Sequence, residues 1–247
     1  MKNILYILLL STQVFFAQNG FEKGNAFYEK GKYNEAVAAY ESVLKDNKYS
    51  SELYFNLGNA YYKLNKVAPS IYNYEKALVL NPNNNDAINN LKFAQKRTID
   101  EIKVVPKVGF GKLLRDFTGA YHYNTWAWIA VGLATVFLLF FIGYYFSQIT
   151  VTKRIFFFGM FVFIFLILIS VLSAIFEKSH FDNEKPAIVF AEITEVKSEP
   201  QKAGAAIFVL HEGTKVFVQE TLENWKKIQL TDGTEGWIES NAIKEVK

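Results

Sequence analysis

The chain has 247 residues, no cysteine, three histidines and a formal net charge of +3. Without cysteine there is no disulfide, thiolate metal site, cysteine nucleophile or lipidated cysteine, and so small and evenly spread a charge argues against nucleic acid as a partner. The 51% hydrophobic content is an average over unlike parts, because apolar residues crowd into the middle of the chain.

Residues 1–17 read as a secretory signal peptide, with Lys2 as a short positive region, Ile4 to Leu10 as the apolar stretch and Ala17-Gln18 as the cut. Phe15 is large for a position three before the cut, so an uncleaved N-terminal anchor stays open as the other reading. Either way, the segment that follows is carried across the membrane.

Residues 18–97 repeat at an offset of 34: Gly24 falls on Gly58, Phe27 on Tyr61 and Tyr40 on Tyr74. Helix-pair packing explains these residue types, since glycine lets two helices approach closely and aromatics wedge between neighbouring pairs. The first unit, 18–50, keeps helical spacing on two segments broken at Gly31-Lys32; the second, 51–84, breaks near Asn65-Lys66 and stops at Asn81-Pro82. Pro69 sits in a first helical turn, where it is tolerated. A third helix, about 85–97, has Ile88, Leu91 and Phe93 on its apolar side and reads as a cap.

These residues resemble the tetratricopeptide repeat, with Lys48 and Ser70 departing from the pattern. So short a stack is marginal alone and implies help from dimerisation, a partner or the rest of the chain. The resemblance implies a protein-binding groove on the inner face, here Phe21, Asn25, Tyr28, Asn56, Asn59 and Tyr62. Asn25 and Asn56 stand 31 residues apart, as do two asparagines of the family's clamp for a C-terminal carboxylate. That clamp also needs cations, and Phe21, Asp86 and Asn90 stand in their places, so an aromatic and amide-lined groove for a protein segment is expected instead. For any single one of the six, simple packing or solvation is the competing explanation.

Residues 98–125 form a linker, within which Lys112 to Phe117 reads either as plain linker or as a short amphipathic segment at a membrane surface. Two charge-free apolar runs follow, 126–146 and 155–176, each long enough for a helix to cross a hydrocarbon core of roughly 30 Å. Between them 147–154 carries Lys153 and Arg154 and no acid, which predicts a cytoplasmic loop and puts both soluble parts on the periplasmic side of an inner membrane. Lys112, Arg115 and Lys178 weaken that charge signal, so the leader carries more of the topology argument. Tyr121, Tyr123, Trp126 and Trp128 at one end, and Tyr144 and Tyr145 at the other, fit aromatic belts against membrane lipid. Gly132 and Gly143 interrupt the first run without forming a clear small-xxx-small motif. With no ionisable group inside either run, the hairpin reads as an anchor rather than a pathway.

After a linker at 177–185, residues 186–247 alternate in the manner of strands: Ile188 to Phe190, Ile207 to Leu210, Lys215 to Val218, Trp225 to Leu230 and Gly236 to Ile238. His211 to Thr214 is a turn, and Asp232-Gly233 a hairpin signal. The run from His211 to Val218 and then Asn224 to Ile238 resembles bacterial SH3 domains, which implies a small all-β barrel. Glu195 to Pro200 stands where that family has a different turn, which puts its usual ligand groove in doubt. Trp225 and Trp237 are the candidate ligand face, with barrel packing as the competing role.

His122, His180 and His211 lack an i,i+4 partner, and there is no phosphate-cradling loop, nucleophile elbow or paired carboxylate to place in a cleft. The expectation is therefore no catalytic, cofactor or metal site, and a protein that is not an enzyme. The fold class expected is a multidomain membrane protein: an all-α tetratricopeptide stack, a two-helix transmembrane hairpin and an all-β SH3-like barrel. This combination resembles the Bacteroides aerotolerance (Bat) family. The resemblance implies an inner-membrane scaffold whose partners are other Bat-family membrane proteins, including those with von Willebrand A domains, linked to tolerance of oxygen or envelope stress. The alternative is an envelope sensor binding peptidoglycan, as cell-wall peptide or glycan, through the SH3-like part.

Overall fold

The computed structural model describes residues 20–102 and 109–247; the leader and Val104-Val105-Pro106 lie outside them. The chain divides into two compact units. Unit 1 joins the residues up to Val105 with Lys185–Lys247, and unit 2 is Pro106–Glu184.

The first part of unit 1 is five helices: α1 (20–29), α2 (Tyr33–Lys45), α3 (Ser51–Lys63), α4 (Val67–Leu80) and α5 (Asn85–Gln95). The helix breaks fall where the sequence places them. Gly31 (φ 72°) and Asn65 (φ 62°) take the left-handed conformation that ends α1 and α3. Ser50 caps α3 by accepting from the Leu53 amide at 3.1 Å, and Asn84 caps α5 by accepting from that of Ala87 at 3.0 Å. The repeat glycines have one specific task. A Cβ on Gly24 would lie 2.3 Å from the Tyr40 ring and one on Gly58 2.7 Å from the Tyr74 ring, so each glycine seats its own repeat's tyrosine. Ser70, which replaces the expected small alanine, is fully buried because its hydroxyl donates to the Gly58 carbonyl at 3.0 Å. On α5 the buried side is Ala87, Leu91 and Ala94; Phe93, expected among them, is 55% exposed.

The second part is an antiparallel sheet of seven strands: β1 (Pro186–Val189), β2 (Ile193–Lys197), β3 (Ala206–His211), β4 (Lys215–Leu222), β5 (Trp225–Gln229), β6 (Glu235–Glu239) and β7 (Ile243–Glu245). Their order is β3-β2-β6-β5-β4-β1-β7. The five strands read from the alternation are present. Two further strands are not evident from the alternation: β7, which is three residues long, and β2, which includes Glu195 to Lys197 of the segment that departs from the family's turn sequence. Gly233 (φ 92°) supplies the positive φ of the β5–β6 turn, which Leu230 and Thr234 close with a 2.9 Å backbone bond. Val189, Val196, Val216, Ile228 and Ile238 fill the sheet's core. Where a closed or nearly closed barrel is expected, the ladder is open, with β3 and β7 as its edges.

Apolar surface near one edge is covered by helix instead. Ile188 of β1 and Val246, just past β7, are fully buried in a cluster with Ala68, Ile71 and Tyr74 of α4 and Leu91 and Ala94 of α5. The turn between β3 and β4 lies against α4 so closely that a Cβ on Gly213 would meet Thr98, Val67 and Ile71 at 2.9–3.2 Å. Lys215 pairs with the nearly buried Glu75 at 2.8 Å, and Tyr72 and Phe190 meet edge-on with centroids 5.6 Å apart. The start of the predicted linker is therefore not free chain: Ile102 packs on the sheet's core, and Asp100 is bound by the β3–β4 turn.

Unit 2 contains α6 (Phe110–Thr118), α7 (Tyr123–Phe146) and α8 (Thr150–Asn183). α7 and α8 are long and apolar enough to cross a membrane. Their most apolar stretches lie almost wholly on the surface, unlike the buried face of a core helix. Both helices are longer than the apolar runs they contain: α7 has 24 residues around 126–146 and α8 has 34 around 155–176. α8 starts at Thr150, so Lys153 and Arg154 lie in helical turns that precede its apolar run. Gly143 does not break α7. It seats Phe156, and Gly159 on α8 seats Phe140 in return; a Cβ on either would sit within 2.6 Å of the opposing ring.

Candidate protein-binding groove

One hydrogen-bond pattern occurs twice in the helical stack. Tyr40 on α2 donates to Asn25 Oδ1 on α1 at 2.7 Å, and Asn56 Nδ2 on α3 donates to the same oxygen at 3.0 Å. In the next repeat Tyr74 donates to Asn59 Oδ1 at 2.7 Å, and Asn90 Nδ2 on α5 joins it at 2.8 Å. Each acceptor oxygen has two lone pairs and receives two donors, which fixes how its amide is turned. Burial pushes the Tyr40 hydroxyl up to about 12. Burial also pushes Tyr74 well up, against smaller lowering contributions from Ser70 and Asn90. Both hydroxyls therefore remain protonated donors at physiological pH.

The second rung borders a cavity of about 250 Å³ lined by Tyr28, Asn59, Tyr62, Lys63, Tyr74, Asn90 and Phe93. Its rim is aromatic and cationic. Arg97 lies 3.7 Å from the Tyr62 ring centroid and donates to Asn65 Oδ1 at 2.9 Å, and the Lys96 ammonium is 5.5 Å from the Phe93 ring. Such a wall can hold an apolar side chain of a protein segment and offer that segment hydrogen bonds and a counter-charge.

Of the six residues expected in a groove, the structure brings Tyr28, Asn59 and Tyr62 to this cavity. Asn25 and Asn56 form the first rung, and Phe21 packs on the Tyr40 ring at 5.9 Å inside the first repeat's core. Sequence reasoning missed Tyr74, Lys63 and Phe93 as lining residues and took Asn90 only as a place lacking a clamp cation. A signal for two of them was available: Tyr74 and Asn90 stand 34 residues after Tyr40 and Asn56. In the sheet, Trp225 is buried at 8% exposure, whereas Trp237 is half-buried between Lys227 on β5 and Lys197 on β2.

A second polar cluster was not anticipated. The Asp100 carboxylate accepts from the His211 amide at 2.8 Å and from the Thr214 hydroxyl at 2.6 Å, and meets His211 Nδ1 at 2.7 Å. Burial alone would raise this carboxyl, but those hydrogen bonds and the charge on His211 together hold it below the ordinary carboxylate value. Thr214 bonds the carboxylate rather than the imidazole, so the group ties chain segments together and is not arranged as an activated nucleophile. Among the described residues no three His, Asp or Glu side chains gather as a metal site.

Comparison with known families agrees with this geometry. Residues 24–65 match the TPR repeat, 51–84 the tetratricopeptide repeat and 192–245 the bacterial SH3 domain. The helices of unit 1 are a tetratricopeptide stack and its sheet is a bacterial SH3 domain. Each match covers less than half of the chain and describes that part alone. Both kinds of module are typically non-catalytic and serve binding. No curated protein matches the chain.

Proposed function

We propose that this protein is a non-enzymatic, membrane-anchored adaptor whose tetratricopeptide groove binds a segment of a partner protein. The observation that carries the reading is the amide- and aromatic-lined cavity beside the second hydrogen-bond rung, with its cationic rim. An acidic segment with one apolar anchor residue suits that lining. The anchor is the α7–α8 hairpin, whose lipid-soluble surface is open along both helices.

The topology follows the same reading. Residues before and after the hairpin build the common core of unit 1, which favours one side of the membrane for both. The leader-like residues 1–17 and the cations Lys153 and Arg154 between the spans favour the periplasmic side of the inner membrane. The layout resembles that of BatE in the Bat family. On that basis the partners are other Bat-family membrane proteins, including those with von Willebrand A domains, in a complex linked to aerotolerance or envelope stress.

The test is crosslinking of the full chain in native membranes, then purification in mild detergent. Tyr62→Ala combined with Phe93→Ala removes the cavity wall while leaving both rungs intact. A defined partner should be captured by the unaltered chain and lost with this variant. Equal capture by both would sink the groove reading.

The bacterial SH3 match supports a second reading, an envelope sensor that binds cell-wall peptide or glycan. Co-sedimentation with purified peptidoglycan should use the full chain, because Ile188 and Val246 share one buried cluster with α4 and α5. Failure to sediment would remove this reading and leave the first untouched.

A further inference from the structure

α6 carries an apolar face that the groove does not use. Phe110, Leu113, Leu114 and Phe117 recur at the i, i+3, i+4, i+7 spacing of a helix stripe. At 3.6 residues per turn they fall within an arc of about 100°, and Lys112, Arg115 and Asp116 fall within a similar arc on the opposite side. The four apolar residues are 79%, 67%, 38% and 51% exposed. A helix of nine residues is too short to cross a bilayer, but it is long enough to lie along one.

Contacts within unit 2 fix which way this helix faces. Trp126, in the first turn of α7, donates its indole N–H to the Thr118 carbonyl at 2.7 Å, and its ring lies 5.5 Å from that of Phe117. On the polar side Arg115 meets His180, and its guanidinium lies 3.5 Å from Glu184 Oε1. Both partners come after Phe176, where the apolar run of α8 gives way to Glu177, Lys178 and Asp182. The apolar edge of α6 is thus level with the start of the apolar part of α7, and its charged edge is level with the charged end of α8. The short helix and the hairpin share one polarity gradient.

We infer that α6 lies in the surface of the same bilayer that α7 and α8 cross, with Phe110, Leu113, Leu114 and Phe117 among acyl chains and Lys112, Arg115 and Asp116 at headgroup level. This rests on the reading of α7 and α8 as membrane spans. Continuity selects lipid as the occupant: only four residues separate the end of α6 from the start of α7, and α6 is tied to both helices at their polar–apolar boundary. In that position α6 is a lateral foot that sets the depth and rotation of the hairpin.

The cysteine-free chain allows a direct test. The variants Leu113→Cys, Asp116→Cys and Leu138→Cys are each made in the full chain, spin-labelled and reconstituted into phosphatidylethanolamine/phosphatidylglycerol vesicles. Collision with oxygen reports lipid, and collision with a nickel chelate reports water. The label at 138, on an open face in the middle of α7, should be reached by oxygen and not by nickel. The label at 113 should meet nickel several-fold less, and oxygen several-fold more, than the label at 116 on the same helix. If the 138 label meets nickel, the spanning reading itself fails. If 138 is lipid-like while 113 and 116 meet nickel equally, the spans stand and the inference about α6 is overturned. Shielding of 113 from both reagents would mean that protein covers the face, which also overturns it.

Discussion

Two interfaces hold unit 1 together, and they follow different rules. Within the repeats the main contacts recur at one offset: the Gly24–Tyr40 seat returns as Gly58–Tyr74, and the bonds on Asn25 return on Asn59. Between the helices and the sheet the contacts do not recur. Asp100 meets residues 111 and 114 positions away, and Glu75 meets a lysine 140 positions away. One position links the two schemes. Glu41 accepts from Tyr61 of the following repeat, whereas Glu75, its equivalent one repeat later, accepts from Lys215 of the sheet. The sheet thus uses a residue that a longer array would offer to its next repeat. A two-repeat stack is marginal alone, and here the chain's own β-domain supplies part of the missing cover.

The largest expected effect tests whether the two interfaces belong to one cooperative unit. Tyr74 is in the repeat scheme through Gly58 and Asn59, and in the helix–sheet core beside Ile188. Tyr74→Ala should destabilise unit 1 by roughly 3–5 kcal/mol, the usual cost of truncating a large buried aromatic. Hydrogen exchange should quicken in β1 and β4 as much as in α4. Faster exchange confined to the helices would show two independent domains that merely touch.

Next comes the helix–sheet core alone. Ile188→Ala should cost roughly 2–5 kcal/mol, read as a lower urea midpoint of the full chain in detergent. A shift confined to the strands would again separate the two parts.

Smaller, but diagnostic in its pH dependence, is Asp100→Ala, which leaves buried donors unpaired at a cost of about 1–3 kcal/mol. Because the folded carboxyl lies below its unfolded value, its contribution is complete above the ordinary range near 3.8 and fades as pH falls through the lower folded value. The difference in stability between variant and parent, measured by denaturant titration at several acid pH values, should therefore shrink as pH falls below about 4. A difference that ignores acid would remove the charge-dependent part of this account.

The smallest effect sharpens the periodic side. Asn25→Ala and Asn59→Ala each remove one acceptor from two donors and should cost about 1 kcal/mol apiece, since each net hydrogen bond contributes little. Similar losses would support equivalent rungs. If partner binding falls for Asn59→Ala but not for Asn25→Ala, recognition lies at the cavity beside the second rung.

How legible each region was follows from the range of its contacts. Gly31 and Asn65 marked helix breaks because positive φ is a local demand that few residues meet, and the Asp232-Gly233 turn was readable for the same reason. The apolar runs of α7 and α8 were readable because a bilayer-length stretch without charge has few other uses. β2 escaped because its apolar residues do not alternate: Ile193 and Val196 stand three positions apart, and only Val196 is buried. Phe93 was misplaced because periodicity assigns a stripe but not its edge, and here that edge borders a cavity.

Repeat length, the helix breaks within the repeats, the paired apolar runs and the strand-rich end could all be read from residue order, because each depends on neighbours within a few turns or one fixed offset. Residue order could not disclose that Asp100 would be gripped by a turn more than a hundred positions later, or that Ile188 and Val246 would complete a core begun by α4 and α5. Those pairings carry no period. They arise only when two surfaces of matching shape and polarity meet, and folding alone brings them together.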